Sequence, residues 1–326
     1  MIKAALGVDI GGTSIKLGLV SSQGKLLLRS TFPTESTQGR KKLLGNLVWH
    51  IQTLCAEAKK NKIQVLGVGI GAPGPIDVEK GLVYFFPNIP GWKNTALKTL
   101  LEARLKMPVF LDNDANAMAL GEFTFGAGKG VKNGIALTLG TGVGGGIVMN
   151  GKLFHGPSYS AAELGHVTLN EDGPSCGCGS RGCIETYVGN GYFVKEMERR
   201  LKSGEKSILN NWVYKEGREL TPLLVAQAAR QKDALSIALW KETATHLGTA
   251  LAGFVNVLNP EKVILGGGIA QNKEFIFKTV RETLKKKAFP IAFRSVKVVP
   301  AELGVDAGLI GAAALVLSEF SGGKTV

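Results

Sequence analysis

Three of the four cysteines fall within eight residues, Cys176-Gly-Cys178-Gly-Ser-Arg-Gly-Cys183, and His166 lies ten residues upstream of the first. Three thiolates and one imidazole make a closed Cys3His donor set, the composition of a structural zinc site. The intervening glycines let a short loop wrap around a single ion. Disulfides are the competing reading, and an odd cluster of thiols in a chain that opens without an export signal argues against them. The fourth thiol, Cys55, sits on the apolar face of an expected helix and reads as core packing. Two carboxylates flank the cluster. Glu163 precedes His166 by three residues, so the two share a face on a helical turn, and Glu185 follows Cys183 by two. A loop fixed by zinc would hold both carboxylates rigidly enough to grip adjacent hydroxyls; without the metal they would read as two surface glutamates.

Glycine-rich turns supply a second kind of chemistry. In Gly7-Val-Asp-Ile-Gly-Gly-Thr13, Gly11 and Gly12 let backbone N–H groups approach an anion, and Thr13 adds a hydroxyl donor. Asp9 is placed to hold a metal ion through water, and Lys16 to face phosphates. Taken alone, the segment reads equally well as a hairpin turn capped by Asp9. Leu139-Gly-Thr-Gly-Val-Gly-Gly-Gly146 repeats the device. Its Gly140, Gly142 and Gly145 satisfy the dinucleotide pattern GxGxxG, but strand-like Ile-Val-Met follows, where that pattern requires a helix opening on the pyrophosphate. No GxxxxGK[ST] run occurs, which excludes a Walker-type phosphate loop. Leu265-Gly-Gly-Gly-Ile269 forms a third turn after a strand, suited to lying against a flat adenine. Two phosphate-type hairpins, one in each half, point to a bound nucleotide more strongly than either does alone.

The third constellation is Leu111-Asp-Asn-Asp-Ala-Asn-Ala117, where a strand gives way to a helix. Capping explains one carboxylate at a helix start. It leaves unexplained the crowding of Asp112, Asn113, Asp114 and Asn116 into five residues. Phosphoryl transfer to an alcohol needs one carboxylate to orient the hydroxyl and accept its proton, with neutral groups for neighbouring hydroxyls. Asp114 is the candidate base and Asn113 a candidate sugar ligand.

The elements that must position these groups follow from hydrophobic period. Residues 3–9, 15–20 and 25–30 read as three successive antiparallel strands, and residues 40–60 as a helix carrying Leu43, Leu44, Leu47, Val48, Ile51, Leu54 and Cys55 on one face. A strand at Val65–Ile70, a helix at Ala96–Arg104, a strand at Val109–Leu111 and a helix at Asp114–Phe125 follow. A second set runs through strands at Ile135–Leu139, Ile147–Met149 and Lys152–Phe154, the last after the hairpin signal Asn150-Gly151. Leu235–Leu258 reads as a long helix apolar on most sides and buried, Lys262–Leu265 and Val296–Val299 as strands, and Val305–Leu317 as a closing helix. Strands then helices, twice over, define an α/β protein of two similar halves. The expected cut lies near residue 112: a smaller N-terminal domain, 1–112, joined by the C-terminal helix at about 312–326, and a larger domain, 113–311, carrying the zinc loop.

Composition narrows the alternatives. Glycine stands at 44 of 326 residues, about twice its usual share, and clusters beside the expected strands as turn chemistry does. The net charge of +13 is scattered; its densest run, Lys285–Lys287, has no interleaved aromatics, so it reads as a basic surface that attracts anionic metabolites and not as a nucleic-acid site. No run of about 18 apolar residues suggests a membrane span, and the lack of a leader makes the cytoplasm the expected location.

Taken together the motifs resemble the ROK family (repressors, open reading frames and sugar kinases) over nearly the whole chain. The matching pieces are DIGGTSIK at 9–16, GAPGPID at 71–77, PNIPGW at 87–92, LDNDANAMALGE at 111–122, LGTGVGGG at 139–146 and ELGH…CGCGSRGCIE at 163–185, the last being highly specific. The resemblance implies a duplicated, two-lobed actin-like (ribonuclease H-like) α/β fold with nucleotide and sugar in a cleft between lobes. It implies Asp114 as catalytic base, with Asn88, Asn113, Glu163, His166 and Glu185 on the sugar. It implies Gly11, Gly12, Thr13, Gly140, Thr141, Gly142 and Gly267 on the nucleotide, and His166, Cys176, Cys178 and Cys183 on zinc. The expected activity is ATP- and Mg²⁺-dependent conversion of glucose to glucose 6-phosphate; N-acetylmannosamine, N-acetylglucosamine and fructose are rival acceptors, and polyphosphate a rival donor. Gly189 departs from the pattern, since kinases of this type often carry Ser there: a small residue is kept but a hydroxyl is lost. The family's sugar-responsive repressors carry a DNA-binding segment before the first glycine motif, for which a motif starting at Asp9 leaves no room. Actin-like filament proteins share the fold but have no use for Asp114 beside a zinc-held pair of glutamates. A homodimer or higher homo-oligomer is the expected assembly.

Overall fold

The computed structural model describes residues 2–87 and 89–320. Thirteen strands are present among them: β1 (Ile2–Ile10), β2 (Ser14–Ser21), β3 (Leu26–Pro33), β4 (Ile63–Ala72), β5 (Ile76–Asp77), β6 (Leu82–Phe85), β7 (Lys93–Thr95), β8 (Val109–Asn113), β9 (Gly134–Leu139), β10 (Val143–Met149), β11 (Lys152–Leu153), β12 (Lys262–Gly266) and β13 (Lys297–Pro300). One five-stranded sheet has the order β3-β2-β1-β4-β8 and the other β11-β10-β9-β12-β13. Numbered along the chain within each sheet, both orders read third, second, first, fourth, fifth. The duplication expected from the alternation of strands and helices is therefore a duplication of topology. In the first sheet β1, β2 and β3 are joined antiparallel by short turns, and β4 and β8 extend it in parallel. In the second, β12 runs parallel to both β9 and β13.

The chain packs as two compact units, one made of the residues up to Lys132, Gly146–Ala162 and those from Ala301 onward, the other of Asn133–Gly145 and Glu163–Pro300. In the first unit β1 is covered on both faces, as a central strand must be. Leu6, Val8 and Ile10 face a core shared with Leu43, Leu47, Ile51 and Leu54 of the helix Gly39–Lys60. Ala5, on the alternate face, meets Ile310, Ala313 and Val316 of the helix Ala307–Phe320. That closing helix lies so close that a Cβ on Gly69 of β4 would strike the carbonyl of Ala312. A Cβ on Gly311 would likewise strike the carbonyl of Ala117 in the helix Asp114–Phe125. Backbone-to-backbone contact thus locks the helix that begins at Asp114. Its far end is pinned by Glu122, wholly buried, whose carboxylate accepts the backbone N–H groups of Ala127 (2.9 Å), Glu302 (3.0 Å) and Leu303 (2.8 Å).

In the second unit Trp240 is packed between Phe193 and Phe275, with ring centroids 4.6 and 5.6 Å away. It belongs to the helix Ala234–Leu258, which Asp233 caps by accepting the N–H of Ser236 at 2.9 Å.

The helix 234–258 is buried along much of its length, as expected, but leaves Ile237 and Val257 42% and 81% exposed. Three other sequence expectations change. The run Gly140–Gly146 is not one turn, since Gly144–Gly146 lie within β10. Gly267 opens a short helix, Gly267–Ala270, and does not sit in a turn. Val305 falls in a 3-10 turn, the closing helix starting at Ala307. The small sheet β5-β6-β7 and the helices Asn190–Lys202, Leu209–Tyr214 and Pro222–Arg230 had no sequence-level expectation. Among the described residues no helix is long and apolar enough to cross a membrane.

Candidate active site

In the first unit, β8 ends at Asn113 and a helix begins at Asp114. Asn113 is the cap: its Oδ1 accepts the N–H groups of Ala115 (2.9 Å) and Asn116 (3.3 Å), while its Nδ2 donates to the carbonyl of Gly74 at 3.2 Å. Both ends of the amide are therefore oriented by backbone. The two flanking aspartates differ. Asp112 is 2% exposed, and its Oδ1 accepts the N–H of Asn113 (2.7 Å) and Nδ2 of Asn116 (2.9 Å). Its Oδ2 lies 2.7 Å from Nε2 of His155. Asp114 is half-buried at the helix start, with Oδ1 accepting the N–H of Ala115 at 2.8 Å.

The β1–β2 hairpin carries the first glycine turn. Gly11 donates its N–H to Ser14 (3.1 Å), and its carbonyl accepts the hydroxyl of Thr34 (2.6 Å). Gly12 and Thr13 are exposed, and no atom stands within 4 Å of where a Cβ on Gly12 would lie. Asp9, at the end of β1, is paired with Lys16 at 3.9 Å across the hairpin, and Lys16 also donates to the carbonyl of Val305 at 3.1 Å. Burial raises Asp9 above the ordinary carboxylate range; Lys16 opposes the rise and Asp306 adds to it. A cation beside this carboxylate would favour its charged form.

In the second unit the ligand atoms of His166, Cys176, Cys178 and Cys183 all lie within 4.8 Å of one another. Two sulfurs bound tetrahedrally to one zinc stand about 3.8 Å apart, and a sulfur and an imidazole nitrogen about 3.6 Å. Cys178 Sγ and Cys183 Sγ are 3.7 Å apart, and Cys176 Sγ and His166 Nδ1 3.6 Å. Both of these separations suit a tetrahedral ion held by the four residues. The thiols are unequal: burial pushes Cys176 up to about 12 and raises Cys183, whereas the N–H of Ser180 holds Cys178 below the usual range. With Nδ1 turned to the sulfurs, His166 keeps Nε2 toward Glu163 Oε2, 3.9 Å away, the two being joined by the 3-10 turn Leu164–His166.

Glu185 does more than its position beside the cysteines suggests. Its Oε2 accepts the N–H of Val143 at 2.9 Å, and a Cβ on Gly142 would collide with that oxygen. The carboxylate is thus seated on the second glycine loop. The same loop receives the N–H of Asn190 on Gly140's carbonyl (2.9 Å), and Gly267, at φ +86°, packs against the backbone of Leu139. Gly140, Thr141, Gly142, Glu185, Asn190 and Gly267 consequently form one neighbourhood. Gly189 belongs to it: a Cβ there would stand 2.9 Å from the carbonyl of Glu185 and 3.4 Å from that of Thr141, so the missing Ser hydroxyl goes with a tight backbone approach.

Within the first unit the fold therefore gathers Asn113 with Asp114, and Asp9 with Lys16 and the Gly11–Thr13 turn. Within the second it gathers Glu163 and His166 with the cysteines, and Glu185 with the glycine loop. Asn88 lies outside the described residues. Sequence reasoning missed His155 and Glu122, each partnered across a long stretch of chain, and Asn190, whose neighbourhood forms only on folding.

A mixed α/β protein with two topologically identical sheets, glycine hairpins at the first strand pair of each and an Asp-Asn-Asp turn at a helix start belongs to the actin-like class of nucleotide-binding folds. The ROK family profile matches residues 5–319. The chain is 38% identical to a glucokinase of Thermotoga maritima over 97% of its own length and 98% of that protein's. Among solved structures it resembles a ROK family glucokinase from Streptomyces griseus in complex with glucose and AMPPNP, with TM-score 0.79, 34% identity, and 96% of this chain and 98% of that one covered. It also resembles a ROK family transcriptional regulator, with TM-score 0.89, 26% identity, and 99% and 80% covered. The chain belongs to the ROK family.

Proposed function

We propose that this protein is an ATP-dependent hexose kinase that phosphorylates the 6-hydroxyl of glucose. The observation that carries the reading is the Asp112–Asn116 turn. It buries one carboxylate in internal hydrogen bonds and places the next, Asp114, half-buried at a helix start beside an amide whose orientation is fixed. Identity to glucokinases over nearly the full chain supports glucose as acceptor and ATP as donor.

In this reading Asp114 accepts the proton of the sugar hydroxyl as its oxygen bonds to the γ-phosphorus. The bond from that phosphorus to the β–γ bridging oxygen breaks, and ADP leaves. A base of this kind contributes about 10²–10⁴-fold, with positioning and phosphate electrostatics supplying most of the rest. Asn88, Asn113, Glu163, Glu185 and Nε2 of His166 bind the remaining sugar hydroxyls. Backbone N–H groups of Gly11, Gly12, Gly140 and Gly142, with the hydroxyls of Thr13 and Thr141, receive phosphate oxygens; Lys16 faces them, and Gly267 lies against adenine. Asp9 is the residue to hold Mg²⁺, which neutralises phosphate charge when bound. His166, Cys176, Cys178 and Cys183 would hold zinc, which would fix the loop bearing Glu163 and Glu185. Expected assembly is a homo-oligomer.

A coupled ADP-release assay across glucose, N-acetylmannosamine, N-acetylglucosamine and fructose tests the proposal. The expected result is the highest kcat/KM with glucose. A higher value with another hexose overturns the substrate assignment, and no ADP with any of them overturns the kinase. Similarity to a regulator of the same family favours one second reading, sugar-responsive DNA binding; a mobility-shift assay with and without glucose separates it.

A further inference from the structure

Asp112 is a carboxylate 2% exposed, and a buried charge is tolerated only when paired and hydrogen-bonded. Asn113 and Asn116 supply neutral donors to Oδ1, and the cation-capable group on Oδ2 is His155, at 2.7 Å. The imidazole comes from far along the chain and from no regular element. It follows β11, after Phe154 has closed the hairpin by donating its N–H to Ile147 at 2.8 Å, and its own carbonyl accepts the N–H of Ala161 at 3.0 Å. These backbone bonds aim His155 at Asp112.

Asp112's position explains why the pairing matters for chemistry. Its Oδ1 binds the N–H of Asn113 on one side of Asp114 and the side chain of Asn116 on the other. Turning that carboxylate would release both. We propose that His155 is a positioning residue for phosphoryl transfer: as an imidazolium it neutralises Asp112 and so fixes the Asp112–Asn116 turn that presents Asn113 and Asp114. The proposal rests on the reading of Asp114 as base.

Burial works against the charged imidazole, but the hydrogen bond and the charge of Asp112 outweigh it and hold His155 above the usual imidazole range. Tyr159 of its own loop also faces the ring, at a ring-centroid distance of 6.4 Å. The Tyr159 hydroxyl is bonded to Glu79, with Asp77 nearby and Lys80 paired to Asp77. Because the folded pKa is raised, the ion pair is intact at low pH and is lost as pH rises through it.

The test is a cycle of His155→Gln, Asp114→Asn and the double variant, with kcat and glucose KM measured across pH. His155→Gln, which retains a neutral donor, is expected to lower kcat by about 10- to 100-fold, the cost of a misplaced reacting group, with little change in KM. Wild-type kcat is expected to fall, as pH rises through the imidazole pKa, toward the value that His155→Gln shows throughout. The double variant is expected to be no slower than Asp114→Asn alone, since His155 acts through that residue. Near-normal kcat in His155→Gln beside an inactive Asp114→Asn overturns the positioning role and leaves the base assignment standing. Losses that multiply in the double variant overturn it as well, by making His155 independent of Asp114. Near-normal turnover in Asp114→Asn overturns the base assignment itself. Should His155→Gln fail to fold, the wild-type profile decides: a kcat that stays flat through the imidazole range overturns the proposal.

Discussion

The turn at 112–116 and the loop at 163–185 both present carboxylates, yet they are built in opposite ways. In the turn, every orienting contact comes from the chain itself: Asn113 caps the helix and reaches Gly74, and Asp112 takes two donors from its neighbours and one from His155. In the loop, three sulfurs and an imidazole converge at distances that suit a metal ion, and among their thiols burial drives Cys176 up to about 12. Hydrogen-bond donors and acceptors satisfy one another when the chain folds. A set of thiols does not, because its members become mutual ligands only through a cation. In the first region folding pairs the carboxylate of Asp112 and orients the amide of Asn113; in the second it gathers a donor set that suits a metal ion.

Three substitutions sharpen the contrast. The largest effect is expected from Asp114→Asn, which should cut kcat by at least about 10²-fold while hexose binding and metal content stay as in the parent; steady-state kinetics and elemental analysis check both halves. Next, Cys178→Ser should lose the bound metal and lower kcat/KM for hexose by at least about tenfold, because Glu185 sits two residues from Cys183 in the same loop. Full zinc content by elemental analysis in that variant would remove the Cys3His assignment. The smallest effect concerns stability. Asn113→Ala removes a helix cap accepting two N–H groups and should cost about 1 kcal/mol in urea unfolding, with metal content unchanged. A loss of metal in Asn113→Ala would show that the two regions are not built independently.

Much of this architecture was legible in the order of residues. The three-strand start, the strand and helix around Asp114 and the hairpin after Asn150-Gly151 were readable because their periods and turn residues are local signals. The four clustered ligand residues were readable because soft donors at such spacing are rare without a reason. The glycine runs were only half legible. Gly144–Gly146 are strand residues, and a Cβ on Gly146 would strike Ala119 of the neighbouring helix, so glycine there serves packing and not a turn. Similarly Gly69 and Gly311 are explained by the seating of the closing helix, which no local signal announces.

What the sequence determined by itself is the chemical inventory: which donors, carboxylates and flexible backbone positions exist, and the alternation that makes two copies of one sheet order. Tertiary structure alone decided their differences in role. Asp112 and Asp114 are the same residue type two positions apart, and only the folded chain brings His155, 43 residues along, onto the first. Glu122 reads as an ordinary helix glutamate until the backbone of residues 302–303, 180 residues downstream, closes over it. Burial and long-range pairing are properties of the folded chain, since the free energy of a charge depends on what surrounds it and not on its neighbours in sequence.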